Sequence, residues 1–404
     1  MSVVAFRLFT LNIDLPGFSL IAPLLLGGLF VIHLVQNESP CRMLALKSPL
    51  ILNNFKMLLL FLASVIVAYM SGIGLSESIA TLLRCFLIFL LCYFGYVHGF
   101  CNVGNLLQKW LIAILIALNL AAITSLVGIG KVEIVDDIPR PVGLVGFSEV
   151  MSHLSLFSVL FSLYIILQER KSYCIEWRYL TYLLLFLSVL SLFLSSTLKN
   201  VLMLPPAILL LLWLSGFPVR RILRLSFAFF IVCLPAFIYL GAATIERIES
   251  TFIAGIDLEL NEGDAVQSSL GFRIVHWKLL LTDWYNNYFY FGSGAGNVLN
   301  MKGFGYYRGL RLDAHSDIVK FICELGLVGM SFFTYLLVKL LVYLKRILPH
   351  SHMAGFCICC IITFSIIASS GKVFYSAFNL YLLSILIGYS FGQVKKKEKM
   401  LCVE

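Results

Sequence analysis

Residues Tyr179–Ser196 read YLTYLLLFLSVLSLFLSS, a run with no acid, lysine or arginine. At about 1.5 Å per residue, an uncharged apolar run of this length crosses a hydrocarbon core of about 30 Å as a single helix. Strands of a membrane barrel would instead alternate over about ten residues, so the expected spans are helical. A short polar turn, TLKN at Thr197–Asn200, separates this run from a second apolar stretch at 201–217.

The same alternation extends in both directions. Apolar runs are expected to span the membrane at 17–36, 57–75, 79–98, 109–129 and 151–168 before the quoted stretch, and at 225–243, 325–344, 354–370 and 374–392 after it. With residues 1–16 left open as a further helix, the count is about eleven or twelve. The 404 residues are 60% hydrophobic and 13% charged, with a mean hydropathy of +0.95. That composition excludes a soluble fold, which needs far more charge to cover its surface. The expected class is an all-α polytopic membrane protein. No cleavable signal peptide is expected, because MSVVAFRLFTLNIDLPGF lacks a basic segment followed by an apolar one and a small-residue cleavage site.

A net charge of +9 could suggest nucleic acid, but the cations sit in short loops between the spans. One alternate set of loops holds Arg42 and Lys47; Arg170, Lys171 and Arg178; Arg220, Arg221 and Arg224; Lys345 and Arg346; and Lys395, Lys396, Lys397 and Lys399. By the positive-inside bias this side is cytoplasmic. The other set faces outward: KVEIVDDIPRPVGLVGFSEV at 131–150, the TLKN turn, the long segment 244–324, and Gly371-Lys372. The organisation is therefore a helical bundle over 1–243, an exterior loop over 244–324, and C-terminal helices with a basic cytoplasmic tail over 325–404. The 11 cysteines imply no disulfide framework, and Cys357, Cys359 and Cys360 in an apolar helix read as packing residues.

The long loop is too large for a bare connection and is the expected site of function. Its first part carries Glu246, Glu249, Asp257, Glu259, Glu262 and Asp264 against Arg247 alone. Its second part carries Arg273, Lys278, Lys302, Arg308, Arg311 and Lys320 against Asp283, Asp313 and Asp317, with Glu324 at the membrane boundary. A basic cluster on the outer side runs against the usual bias, and an anionic ligand at the bilayer surface would explain it. Pairing within the loop or with lipid head groups is the plainer account.

GFRIVHWKLLLTDW at 271–284 is expected to form an amphipathic helix that leaves Arg273, Trp277, Lys278 and Trp284 free at the interface. GSGAGN at Gly292–Asn297 lacks the lysine of a P-loop and reads as a tight turn, with backbone N–H groups open to an anion. His315 is placed just ahead of a helix that runs straight into the next span, where the dipole favours anions. It is the candidate proton acceptor, with His276, Asp317 and Glu324 as further candidates. Asp136-Asp137 and Asp257/Glu259 read as solvated acids, so no metal and no cofactor is expected.

Three features in order carry a resemblance over Phe272–Gly329. Arg273 stands four residues before Trp277, Phe291–Asn297 forms an aromatic-Gly-x-Gly-x-Gly-Asn turn, and Ala-His-Ser-Asp at 314–317 is followed by Glu-Leu-Gly-Leu-Val-Gly. RPVGLVGFSEV from Arg140 and STLKN at Ser196–Asn200 match more weakly. The pattern resembles the O-antigen ligase/polymerase superfamily of membrane glycosyltransferases. Lys199 stands where that family commonly has arginine, and Ser316 where it often has asparagine.

The resemblance implies a fold like the C-type glycosyltransferases in a bacterial inner membrane, with the active site on the periplasmic face. It implies an undecaprenyl-diphosphate-linked oligosaccharide as donor and an acceptor glycan or lipid A core as partner, without nucleic acid, and leaves room for a chain-length regulator. It implies His315 as catalytic base and Arg273, Arg308, Arg311, Lys199 and Arg140 as the residues that grip diphosphate, without a metal. Polymerase and ligase share these motifs; the continuous AHSDIVKFICELGLVG segment favours polymerase by family likeness. A transporter is the contrasting class, but no internal repeat is visible, and Arg84 is the one deep cation among Lys56, His33 and Lys339.

Overall fold

The computed structural model describes residues 47–70, 75–101, 106–129, 131–135, 138–143, 147–168, 175–195, 197–218, 220, 269–303, 313–374 and 378–401. The expected spans at 17–36 and 225–243, the acidic first part of the long loop, Asp136-Asp137, and both Arg308 and Arg311 lie outside the described residues.

Among the described residues the chain is a bundle of long helices. In order these are α1 (Pro49–Met70), α2 (Leu75–Cys101), α3 (Leu106–Ser125), a hairpin of β1 (Lys131–Val135) and β2 (Ile138–Gly143), α4 (Ser148–Gln168), α5 (Ile175–Leu194) and α6 (Leu198–Leu214). After the undescribed stretch come α7 (Ser269–Asp283), α8 (Asp317–Ile347), α9 (His352–Ala368) and α10 (Phe378–Leu401). Six of them, α1 to α5 and α8, contain segments long and apolar enough to cross a membrane, and α6 and α9 are shorter apolar helices. The protein is a multi-pass, all-α membrane protein. The basic residues read as a tail, Lys395 to Lys399, are instead the last turns of α10.

The hairpin is the one pair of strands among the described residues. Its strands are antiparallel, with Glu133 opposite Arg140 and Val135 opposite Ile138. The Glu133 carboxylate accepts the Ser148 N–H at 2.9 Å and the Ser148 hydroxyl at 2.6 Å. It thereby satisfies an orphan donor at the start of α4.

Two close approaches hold the bundle. Gly95 and Gly99 of α2 face the Ile385 and Tyr389 carbonyls of α10, while Gly388 and Gly392 of α10 face those of Cys92 and Tyr96, and a Cβ at any of the four would collide. Small residues spaced four apart let membrane helices meet backbone to backbone. The second approach lies in α8. Its sequence pattern is continuous, but at Gly326 the backbone turns to φ 66°, ψ −176° and the helix breaks. The GSGAGN turn plugs the break. Ser293 and Gly294 donate their N–H groups to the carbonyls of Cys323 and Glu324 at 2.8 and 3.0 Å. Leu327 and Val328 donate to Phe289 and Tyr290 at 2.9 and 3.0 Å. Irregular backbone at membrane depth needs such internal partners.

This corrects two expectations. The segment from Asp317 does not run straight into its span, and five of the turn's six N–H groups are not open to an anion. Those of Gly292, Ala295 and Asn297 are also taken, by Tyr288, Ser64 and Gly294. Gly292, Gly294 and Gly296 have φ of 74°, 93° and 80°, a region that only glycine enters freely, and this is why the turn alternates glycines.

Candidate active site

The helix ends of α4, α6, α8 and α9 converge with α7 at one end of the bundle, and the residues that meet there come from five separate stretches of sequence. The hub is a short loop, Ser369–Phe374, between α9 and α10. Asp317 donates its N–H to the Gly371 carbonyl at 3.1 Å, and its Oδ2 accepts the Phe374 N–H at 2.6 Å. The Ser316 hydroxyl donates to the Ser369 carbonyl at 2.8 Å and accepts the Val319 N–H at 3.3 Å, acting as N-cap of α8. Arg273 reaches the same loop from α7, with Nη1 3.3 Å from the Ser370 carbonyl. Lys199, at the start of α6, pairs with Glu149 at the start of α4, and both lie against Gly371.

His315 sits at the centre of this arrangement, immediately before the α8 cap. Its φ is 53°, and among the described residues it is the only non-glycine with positive φ. Histidine tolerates this conformation better than most residues, and backbone strain of this kind gathers at functional sites. Burial, then the charges of Lys372 and Arg273, push the imidazole down to about 4, against the opposing pull of Asp313 and Glu149. At neutral pH the ring is uncharged and can accept a proton. Asp313 lies between two cations, Lys320 and Lys372, each at 3.2 Å. Burial works to raise its carboxyl, but these two lysines outweigh it and hold it below the usual range.

The sequence-nominated residues are distributed unevenly around this centre. Arg273, Lys199 and Asp317 join the His315 cluster through the contacts above. His276 is buried one step away, bonded to the Asp313 backbone and packed against Gly303; its pKa is lowered by burial despite the Asp313 bond and charge. Glu324 is fully buried, 3.9 Å from Lys320, and lies under the glycine turn. Arg140 is on β2, beside α4. Arg84 lines an apolar cavity of about 130 Å³ within the bundle, together with Phe321 and Phe374. Trp277 and Trp284 are not free at an interface: both pack into a small core with Leu280 and Val298, and the Trp277 indole donates to the Ala314 carbonyl. That bond fixes the residue just before His315.

Three participants escaped sequence reasoning: Glu149 stood only as part of the exterior segment 131–150, Asp313 only as one acid of the long loop, and Lys372 only as the cation of Gly371-Lys372. The only available signal was that each is a charge near the loop-facing end of an apolar helix.

Fold and site together define a polytopic helical membrane protein with a cationic, histidine-centred site at one end of its bundle. Residues 183–334, less than half of the chain, match the family model Wzy_C, described as O-antigen ligase. The match supports the O-antigen ligase/polymerase superfamily that the motifs resemble, a family of glycosyltransferase-like enzymes acting in general on lipid-linked glycans. It includes Lys199, Arg273, His276, Arg308, Arg311, His315, Asp317 and Glu324, whereas Arg140, Glu149 and Lys372 lie outside it. No curated protein matches the chain.

Proposed function

We propose that the protein is a polymerase that transfers an undecaprenyl-diphosphate-linked glycan onto an acceptor sugar hydroxyl at the periplasmic face of a bacterial inner membrane. The observation that carries this reading is His315, uncharged, with positive φ, and under the charges of Lys372 and Arg273, inside the family segment. The acceptor oxygen attacks the anomeric carbon and its proton passes to His315. The bond from that carbon to the diphosphate oxygen breaks, and the electron pair leaves with the carrier diphosphate. Arg273 and Lys199, with Arg140, Arg308 and Arg311 as further cations, stabilise the charge that develops on the leaving group. No metal and no nucleotide sugar enters this scheme.

A second reading, transfer of the finished glycan to lipid A core, is favoured by the description of the matched family as a ligase. The experiment is a gel of surface polysaccharide and lipid-linked intermediates from a deletion strain complemented with wild type or His315→Ala. A polymerase defect leaves one repeat unit on the core; a ligase defect leaves a bare core and accumulated lipid-linked polymer. His315→Ala is expected to give no rescue at normal membrane level, a loss of about 100-fold or more in rate. Full rescue removes His315 from the chemistry.

A further inference from the structure

The lysines around His315 are not equivalent. Lys320 is sandwiched between Asp313 and Glu324 and its side chain is only 6% exposed. Lys199 is committed to Glu149, lies against Gly371, and is 22% exposed. Lys372 is the most open of the three at 30%, and the one carboxylate it pairs with among the described residues, Asp313, is already shared with Lys320 at the same distance. A carboxylate divided between two ammonium groups neutralises neither fully.

The backbone around Lys372 is anchored on both sides. Its own N–H is hydrogen-bonded by Glu149, the Gly371 carbonyl accepts from Asp317, and the Phe374 N–H is held by the Asp317 carboxylate. A cation on a backbone fixed in this way needs little reorganisation to meet developing negative charge. Lys372 and Arg273 are also the two positive charges that act on the His315 ring, and Arg273 is tied to Ser370 of the same loop. A group held by these two cations lies next to the proton acceptor.

We propose that Lys372 is a substrate-contacting residue, its ammonium donating to a phosphate oxygen of the departing diphosphate while His315 takes the acceptor's proton. This rests on the diphosphate-dependent reading above and adds a residue outside the matched family segment. The three-residue stretch Ser370–Lys372 thereby becomes part of the active site, and Gly371 is its spacer, because a side chain there would strike Lys199.

The test uses the full-length purified protein in lipid nanodiscs, with inorganic pyrophosphate as probe. In wild type, pyrophosphate is expected to protect Lys372 from acylation by an amine reagent, read by mass spectrometry, while Lys278 on the exposed face of α7 labels equally with and without it. Lys372→Gln is expected to bind pyrophosphate roughly tenfold more weakly, as loss of a charge-assisted hydrogen bond predicts. It should also move the acid limb of kcat/KM upward, whereas Lys372→Arg retains most binding. Wild type that binds pyrophosphate without protecting Lys372, or Lys372→Gln that binds within twofold of wild type, overturns the proposal and leaves the diphosphate site standing. Wild type that binds no pyrophosphate overturns both. The protection arm needs no variant, so misfolding of Lys372→Gln does not spare the proposal.

Discussion

Two concentrations of polar side chains are buried in this bundle, and they behave differently. Beginning one turn in from the loop end, α3, α4, α5 and α6 contribute a neutral network. Ser152 accepts from Asn200 at 2.7 Å, the Ser155 hydroxyl lies 3.1 Å from both the Asn119 Oδ1 and the Ser191 hydroxyl, and the Asn119 amide donates to Ser158 at 3.3 Å. At the loop end, Lys372, Arg273, Asp313 and Glu149 act on one histidine, with Lys199 paired to Glu149 and Lys320 to Asp313. The first set consists of amide and hydroxyl groups paired across helices, the usual glue of membrane bundles. The second holds charges that only an outside ligand or their mutual pairing can stabilise. Polarity inside a membrane protein is therefore a poor marker of function until charge and access are considered.

The comparison is broken most directly by removing one group from each set. Arg273→Ala is expected to lower kcat/KM by about 100-fold or more, the scale for losing a donor to a developing oxyanion, with membrane level unchanged. Asn119→Leu should leave activity per folded molecule intact and cost about 1 kcal/mol in thermal or denaturant unfolding. If the two effects are reversed, the division between chemistry and glue is wrong.

A smaller effect is expected at the plug in α8. Gly326→Ala puts a side chain into a positive-φ position facing Gly292. About 1–3 kcal/mol of stability should be lost, seen as reduced membrane level or melting temperature, with activity falling in proportion to folded protein. Activity lost well beyond that proportion would mean that the break itself moves during turnover.

The smallest effect is a pH dependence. His315 has its pKa lowered from 6.5 to about 4, so the unfolded chain takes up this proton first as pH falls. The contribution of His315 is complete above about 6.5 and is lost progressively from there down to about 4. For the free enzyme the His315 acid limb of kcat/KM is expected near 4. Once an anion offsets Lys372 and Arg273, the ring becomes more basic, and the limb of kcat should lie at higher pH. Coincident limbs would separate His315 from the cations beside it.

Helix spacing alone made most of the architecture legible. The apolar runs at 57–75, 79–98, 109–129, 151–168, 179–196 and 201–217 each correspond to a helix, with ends shifted by up to eight residues. Hydrocarbon thickness sets run length, and this is a property of local sequence. The start of α8 was legible for a similar reason, since Ser316 followed by Asp317 is a cap signal.

What the sequence could not supply is everything that depends on two distant segments touching. The break at Gly326 is invisible in an unbroken apolar pattern, because the groups that satisfy its backbone lie in the turn about thirty residues earlier. Trp277 has the composition of an interfacial residue and only tertiary packing gives it Ala314. The sequence by itself determined a helical membrane bundle, a polar segment with its arginines, and His315 at a helix start. Only the tertiary structure joined Glu149, Lys199, Arg273, Asp313 and Lys372 around that histidine. Charge is written residue by residue, whereas the field at a site is the sum over whatever the fold brings within a few ångströms.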